Sequence, residues 1–204
     1  MKPTVLVLKA ILPDEMKLLG VLYNVIPFWE QAEREDVLAK QGAGVSAILS
    51  TYDCEGVKGD LMARLPNLRI IGQFGAGYDN IDLKAAKERG IAVTNTPDVL
   101  TDDTADLAMQ LLLNVARRGI AGDRFVREGE WMKGGFPLST SLSGKVAGIY
   151  GMGKIGQAIA RRAAAHNMKI KYCSRSPKSD IPYDYYGKLT ALAEACDFLI
   201  LACS

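Results

Sequence analysis

The stretch "VAGIYGMGKIGQAIARRAAAHNMKIKYCSRS", residues 146–176, constrains the fold more than any other part of the chain. An apolar run leads into the pattern G-x-G-x-x-G, filled by Gly151, Gly153 and Gly156. The glycines open an Ala- and Ile-rich helical segment, and a second apolar run follows. That order is the context the pattern needs, since the glycines alone are a weak signal. Gly151 permits a tight turn, Gly153 lets a pyrophosphate approach the backbone, and Gly156 lets the helix pack close to the strand. Free N–H groups and the helix dipole then favour an anion. A glycine turn in an unrelated parallel α/β protein is the alternative. Strand, glycines, helix and second strand agree on a dinucleotide site.

At the end of the second run many dinucleotide folds place an Asp or Glu, which bonds the ribose hydroxyls and repels a 2′-phosphate. Here Ser174, Arg175 and Ser176 stand there. Ser174 removes the repulsion and offers a hydroxyl. Arg175 can meet a phosphate with a forked, charge-assisted contact, and Ser176 and Lys178 can add donors. The expected preference is NADP(H) over NAD(H). The competing reading is a solvated basic turn with no ligand.

The rest of the chain alternates strand-like and helical segments. Strands are expected at 4–10, 24–29, 45–51, within "LRIIGQFG" and within "IAVTNTP". Pro27 marks the second as short or at an edge. Helices are expected near 14–22, within "EREDVLAKQG" with Gly42 as its stop, at 58–65, and within "DLKAAKERG" with Gly90 as its stop. This rhythm predicts a parallel sheet covered on both faces. After the fingerprint, a helix near 189–195 and a strand "FLILAC" complete the alternation.

"TDDTADLAMQLLLNVARRG" (101–119) breaks the rhythm. Thr101 can cap a helix, and Asp102 and Asp103 suit its positive end. Leu107, Leu111 and Val115 recur at four-residue spacing, with Ala108 and Leu112 beside them. Gly119 is the expected stop. Such a helix can bridge two domains. A Gly- and Ser-rich loop at 132–144 follows it. The expected division falls after residue 100, with one domain over 1–100 and a second, carrying the dinucleotide fingerprint, over 101–204.

Balanced charge, net +2 over 204 residues, gives no case for nucleic-acid binding. No apolar run approaches the ~20 residues of a membrane span, and the N-terminus lacks a signal-peptide cleavage pattern. The four cysteines show no C-x-x-C pairing. Free thiols and a cytoplasmic location are therefore expected. No metal site is expected.

A second local feature is "IIGQFGAGYDNID" (70–82). Small residues at Gly75, Ala76 and Gly77 expose backbone N–H groups where ligands of open α/β sheets lie, and such groups can hold a carboxylate. A plain strand-to-helix turn with Asp79 and Asp82 as caps is an equal alternative on local grounds.

Taken together, "FGAGYDNID", "NTPDVLTDDTADLAMQLLL", "LSGKVAGIYGMGKIGQAIARRA" and "CDFLILAC" resemble the D-isomer-specific 2-hydroxyacid dehydrogenase family. They stand in that family's order and cover nearly the whole chain. The "CSRS" turn is similar to the branch that reduces glyoxylate, hydroxypyruvate or related 2-keto acids with NADPH. The resemblance implies a flavodoxin-like parallel-sheet substrate domain followed by the first half of a Rossmann domain. It implies that Ala76 and Gly77 bind the substrate carboxylate through their backbone. Thr104 would lie near the nicotinamide, Lys154 and Ile155 over the pyrophosphate, and Ser174 and Arg175 at the ribose. Ala202 and Cys203 would form the cofactor-facing end of a third strand, which the family commonly continues with a proline where this chain has Ser204. A homodimer is implied for the complete protein.

The family's catalytic histidine, its orienting glutamate and its substrate-binding arginine match no residue of this sequence. His166, the single histidine, falls at the end of the fingerprint helix, remote from the phosphate end. The chain is therefore expected to be catalytically incomplete, with a Rossmann half ending after its third strand. The strand "KVAGIY" is expected at an exposed edge. Two alternatives remain: a non-catalytic nucleotide-binding or interaction module, and a formate- or phosphite-type dehydrogenase relative.

Overall fold

The computed structural model describes residues 2–203, so the reading at Ser204 lies outside the described residues. Chain contacts divide the molecule into two compact units, Met1–Val99 and Leu100–Ser204.

In the first unit β1 (Thr4–Val7), α1 (Pro13–Leu22), β2 (Asn24–Pro27), α2 (Arg34–Gln41), β3 (Val45–Thr51), α3 (Gly59–Ala63), β4 (Ile70–Phe74), α4 (Leu83–Glu88) and β5 (Ala92–Thr94) follow in order. All five strands run parallel, in the order β2-β1-β3-β4-β5. That is the flavodoxin-like order. Pro27 lies on the edge strand β2, where its missing N–H costs no ladder bond. Leu6, Ile48 and Ile71, from three neighbouring strands, are fully buried in one apolar cluster with Met62 and Leu65. Asp82 caps α4 by accepting from the Ala85 amide at 2.9 Å.

Gly42 does not stop α2 by a left-handed turn. Its φ is −56°, and the chain runs on into a 3-10 turn over Gly42–Gly44. Glycine is required there by packing, because a Cβ would lie 2.8 Å from the Arg64 carbonyl oxygen. Gly90 does take the left-handed conformation, at φ +65°.

The second unit contains α5 (Thr101–Arg117), α6 (Gly119–Arg127), β6 (Val146–Tyr150), α7 (Lys154–Ala165), β7 (Lys169–Cys173), β8 (Asp184–Tyr186), α8 (Leu189–Glu194) and β9 (Phe198–Leu201). Its four strands are parallel, in the order β8-β7-β6-β9. Counting along the chain, that order is 3-2-1-4, the start of the Rossmann arrangement.

Two expectations are corrected here. "KVAGIY" is not an edge, because β6 pairs with β7 on one side and β9 on the other. The last strand is the fourth of its sheet, since β8 occupies the third place. Asp197 stitches β9 to β6: its carboxylate accepts from the Val146 amide at 2.8 Å and from Lys145 Nζ at 3.2 Å. These contacts, the Val146 amide first, hold the Asp197 carboxyl below its ordinary pKa.

Helix α5 also departs from expectation, and it lies wholly within the second unit. Leu100, not Thr101, is its N-cap, with no side-chain cap bond. Arg118 ends it in a left-handed turn at φ 56°, and Gly119 begins α6. Leu107, Leu111 and Val115 stay 54%, 58% and 71% exposed. The buried face is Ala105, Met109, Leu112 and Ala116. Its small residues allow close approach to α7, whose own buried face is Ala158, Ile159, Ala160 and Ala163. Arg162 of α7 adds ion pairs to Asp106 at 2.5 Å and Asp102 at 3.0 Å. Trp131, in a 3-10 turn over Glu130–Met132, is exposed.

Candidate functional site

The second unit holds a cleft of about 670 Å³ at the carboxyl ends of its strands. It opens where the sheet order reverses between β6 and β9, the place where ligands of open parallel sheets bind. Gly151, Gly153, Ser174, Arg175, Ser176, Ala202 and Cys203 all line it. The wall also takes in Tyr150, Met152, Cys173, Lys178, Tyr185, Gly187 and Leu189. It includes two cations, Arg175 and Lys178, and no Asp or Glu.

Each fingerprint glycine meets a different constraint. Gly151 has φ +100°, and a Cβ there would lie 2.6 Å from the Ala202 carbonyl. Gly156 is buried, and its Cβ would lie 2.0 Å from the Gly151 carbonyl oxygen. Gly153 has an ordinary φ of −77° and nothing within 4 Å of a Cβ. A side chain at 153 would thus cost the fold little and would intrude on the cleft. Gly153 is also the N-cap of α7, and its carbonyl accepts the first helical bond from Gln157 at 2.9 Å. First-turn amides of such a helix have no intrahelical acceptors and carry the positive end of its dipole.

The remaining expected residues do not line the cleft. Thr104 is exposed in the first turn of α5. The Ile155 side chain packs against the apolar core, so only its backbone is available to an anion. Lys154 is exposed at the first position of α7. His166 is exposed at the far end of α7.

The turn after β7 is more constrained than its sequence suggests. Ser174 Oγ donates to the Ser176 carbonyl at 2.7 Å, so its proton serves the turn. The Lys178 amide donates to the Tyr172 hydroxyl at 2.8 Å. Arg175 is exposed, with no hydrogen-bond or ion-pair partner among the described residues.

The first unit presents a separate feature, the loop after β4. Gln73, buried at the end of that strand, donates through Nε2 to the Gly77 carbonyl at 3.0 Å and to Asn80 Oδ1 at 3.3 Å. Its Oε1 accepts from the Ser50 hydroxyl. Asn95 Nδ2 donates to the Ala76 carbonyl at 2.8 Å. Asn80 Nδ2 donates to the Thr51 carbonyl at 2.8 Å. Their carbonyls thus bonded, Ala76 and Gly77 are exposed, and their amides have no acceptor among the described residues. Sequence reasoning misses this tethering, and only a run of amide side chains around small residues could signal it.

In the first sheet the order reverses between β1 and β3. Just past those strand ends, Lys9 pairs with the Asp53 carboxylate, which also accepts from Thr51 Oγ1 at 2.7 Å. Lys9 first and Thr51 second lower the Asp53 pKa, and the same hydrogen bond raises that of Lys9. This crevice neutralises its own charge, whereas the Ala76–Gly77 amides do not. No group of metal-ligating side chains forms among the described residues. No helix among them is long and apolar enough to cross a membrane.

Two parallel sheets, one in flavodoxin-like and one in Rossmann order, with a glycine turn at the reversal of the second, define the class: an α/β protein built like a two-part dehydrogenase. The chain belongs to the D-isomer specific 2-hydroxyacid dehydrogenase family, whose catalytic-domain profile matches residues 5–195. It is 45% identical over 181 residues to the glyoxylate/hydroxypyruvate reductase A of Arabidopsis thaliana, covering 89% of this chain and 58% of the relative. A glyoxylate reductase of Pyrococcus horikoshii is 41% identical over 212 residues, covering 99% of this chain and 63% of the relative. A solved NADPH-dependent glyoxylate/hydroxypyruvate reductase from Sinorhizobium meliloti, in complex with NADP and malonate, shares 38% identity with a TM-score of 0.83. It is matched over 100% of this chain and 63% of its own. The chain thus spans about three fifths of the length of these relatives.

Proposed function

We propose that this chain holds the substrate carboxylate and the adenosine-pyrophosphate part of NADP(H) in a reductase of small 2-keto acids, of the glyoxylate and hydroxypyruvate type. One observation carries the cofactor reading. Among the described residues, the cleft wall at the end of β7 has an exposed Arg175 without a partner, Lys178 beside it, and no Asp or Glu. A 2′-phosphate meets attraction there, while the acid that would favour an unphosphorylated ribose is missing.

When bound, the nicotinamide supplies hydride chemistry. The residues of this chain bind and orient. Gly153 leaves room for the pyrophosphate, and the first turn of α7 meets its charge. Arg175 selects the phosphorylated ribose. Ala76 and Gly77 offer two amides to a carboxylate. The relatives' names, glyoxylate reductase and glyoxylate/hydroxypyruvate reductase, support the substrate class. His166 is assigned no catalytic part, and the chain alone is read as binding without turnover. The exposed stripe Leu107–Leu111–Val115 on α5 supports a homodimer.

Titration calorimetry of the chain with NADPH and NADH tests the cofactor reading. Binding should favour NADPH, and Arg175→Ala should weaken NADPH roughly ten- to hundredfold, the scale of a charge-assisted contact. NADH binding should stay within about twofold. Equal loss for both cofactors, or no loss, overturns the reading.

A further inference from the structure

Two tyrosines hold the two ends of the turn that carries Arg175. Tyr172, on β7, is 1% exposed. Its hydroxyl accepts from the Lys178 amide at 2.8 Å and lies 3.5 Å from the Lys178 carbonyl. Tyr185, on β8, donates from its hydroxyl to the Ser174 carbonyl at 3.3 Å. The sheet register sets them side by side, because Tyr172 faces Tyr185 across the β7–β8 ladder. Their rings lie 5.5 Å apart between centroids, tilted by 57°. Ser174 Oγ closes the turn from within. None of these contacts uses the Arg175 guanidinium.

The arrangement has a physical consequence. A guanidinium recognises a phosphate through the direction of its fork, so the backbone beneath it must point the right way. Ordering a loose turn on binding consumes part of the binding free energy, and a turn ordered beforehand avoids that cost. Each phenol fixes one backbone group at one end of the turn. The hydroxyl of Tyr172 is the acceptor that satisfies the Lys178 amide. A phenylalanine there would fill the same space and leave that amide unpaired. The short strand β8 also gains a purpose, since it brings Tyr185 against the start of the turn.

We propose that Tyr172 and Tyr185 are positioning residues for nucleotide selection, fixing the 174–178 turn so that Arg175 meets a phosphate on the ribose 2′ position. The proposal rests on the reading of this cleft as a site for a 2′-phosphorylated dinucleotide.

Two probes that differ only in the 2′-phosphate separate the two claims: adenosine 2′,5′-bisphosphate and adenosine 5′-monophosphate. Calorimetry would measure both on the 204-residue chain and on Tyr172→Phe and Tyr185→Phe, with thermal unfolding of each variant alongside. The parent should prefer the bisphosphate. Each variant should lose about three- to tenfold of that preference, the bisphosphate weakening more than the monophosphate. If the parent discriminates and both variants keep its full preference, the positioning proposal is overturned while the cofactor reading stands. The positioning proposal is overturned equally if both probes weaken in proportion, which is the signature of general loosening. If the parent shows no preference, the cofactor reading fails and takes the proposal with it. Should Tyr172→Phe fail to fold, Tyr185→Phe, at a position 37% exposed, decides the matter alone.

Discussion

The loop after β4 and the turn after β6 meet one requirement by opposite means. Each follows a parallel strand and leaves backbone amides facing outward at its carboxyl end. In the first unit, side chains hold the loop. Gln73 and Asn95 draw in the Gly77 and Ala76 carbonyls, and Thr96 Oγ1 accepts from the Gly75 amide at 3.1 Å. The helix behind it, α4, has six residues and starts only at Leu83. In the second unit the turn is held by the absence of side chains, and the twelve-residue α7 begins directly after Gly153. A tethered loop fails when a tether is lost. A glycine turn fails when a methyl group is gained.

The sharpest way to break this contrast is Gly156→Ala. In an ordinary helix that change gains nearly 1 kcal/mol of propensity. Here the new Cβ would sit 2.0 Å from the Gly151 carbonyl oxygen, a backbone atom. Overlap should outweigh propensity and cost about 3 kcal/mol or more, read by chemical denaturation. A neutral or stabilising result would mean that α7 can shift freely, and the second turn would not be held by glycine.

Gln73→Leu comes next. It removes the donor to Gly77 and Asn80, in a half-buried place, and leaves the buried Ser50 hydroxyl without its acceptor. The expected loss is about 2 kcal/mol, with faster hydrogen exchange across residues 75–80. Unchanged exchange would show that the first loop does not depend on its tethers. The smallest structural effect belongs to Gly153→Ala. Its φ of −77° and the open space around it predict a stability within about 0.5 kcal/mol of the parent. NADPH affinity should nevertheless fall by about tenfold or more, measured by calorimetry. Intact affinity would deny that a pyrophosphate approaches the backbone there.

The fingerprint turn is legible in the sequence because close backbone contacts admit glycine alone, and glycine is visible in a string of letters. The alternation that sets the two parallel sheets is legible for a similar reason, since buried parallel strands read as continuous apolar runs. Sheet order is not. Nothing in "FLILAC" says on which side of β6 it pairs, so the sequence suggests an edge at β6 that β9 in fact covers. The strand β8 is three residues long, too short to show a period. On α5 two apolar faces compete, and Leu107–Leu111–Val115 carries the larger side chains. The structure buries the face with more alanine, because Ala105 and Ala116 permit a close approach to α7 that leucine would block. At the candidate sites, Arg175 stands out by replacing an acid. The tethers of Gln73, Asn95, Tyr172 and Tyr185 do not, since each acts on a backbone group that the sequence leaves implicit.

One contact bears on how such a molecule assembles. A Cβ at Gly151 would run into the Ala202 carbonyl, so the turn after β6 and the end of β9 occupy one another's space. The six-residue pattern is local in sequence, but its native geometry is completed by a strand made much later in the chain. In the folded unit the turn is held from two sides, since the Gly151 amide donates to the Cys173 carbonyl at 2.8 Å while its α-carbon packs against the end of β9. A peptide covering the fingerprint alone would carry the letters of the motif without the β9 backbone that packs against its first glycine.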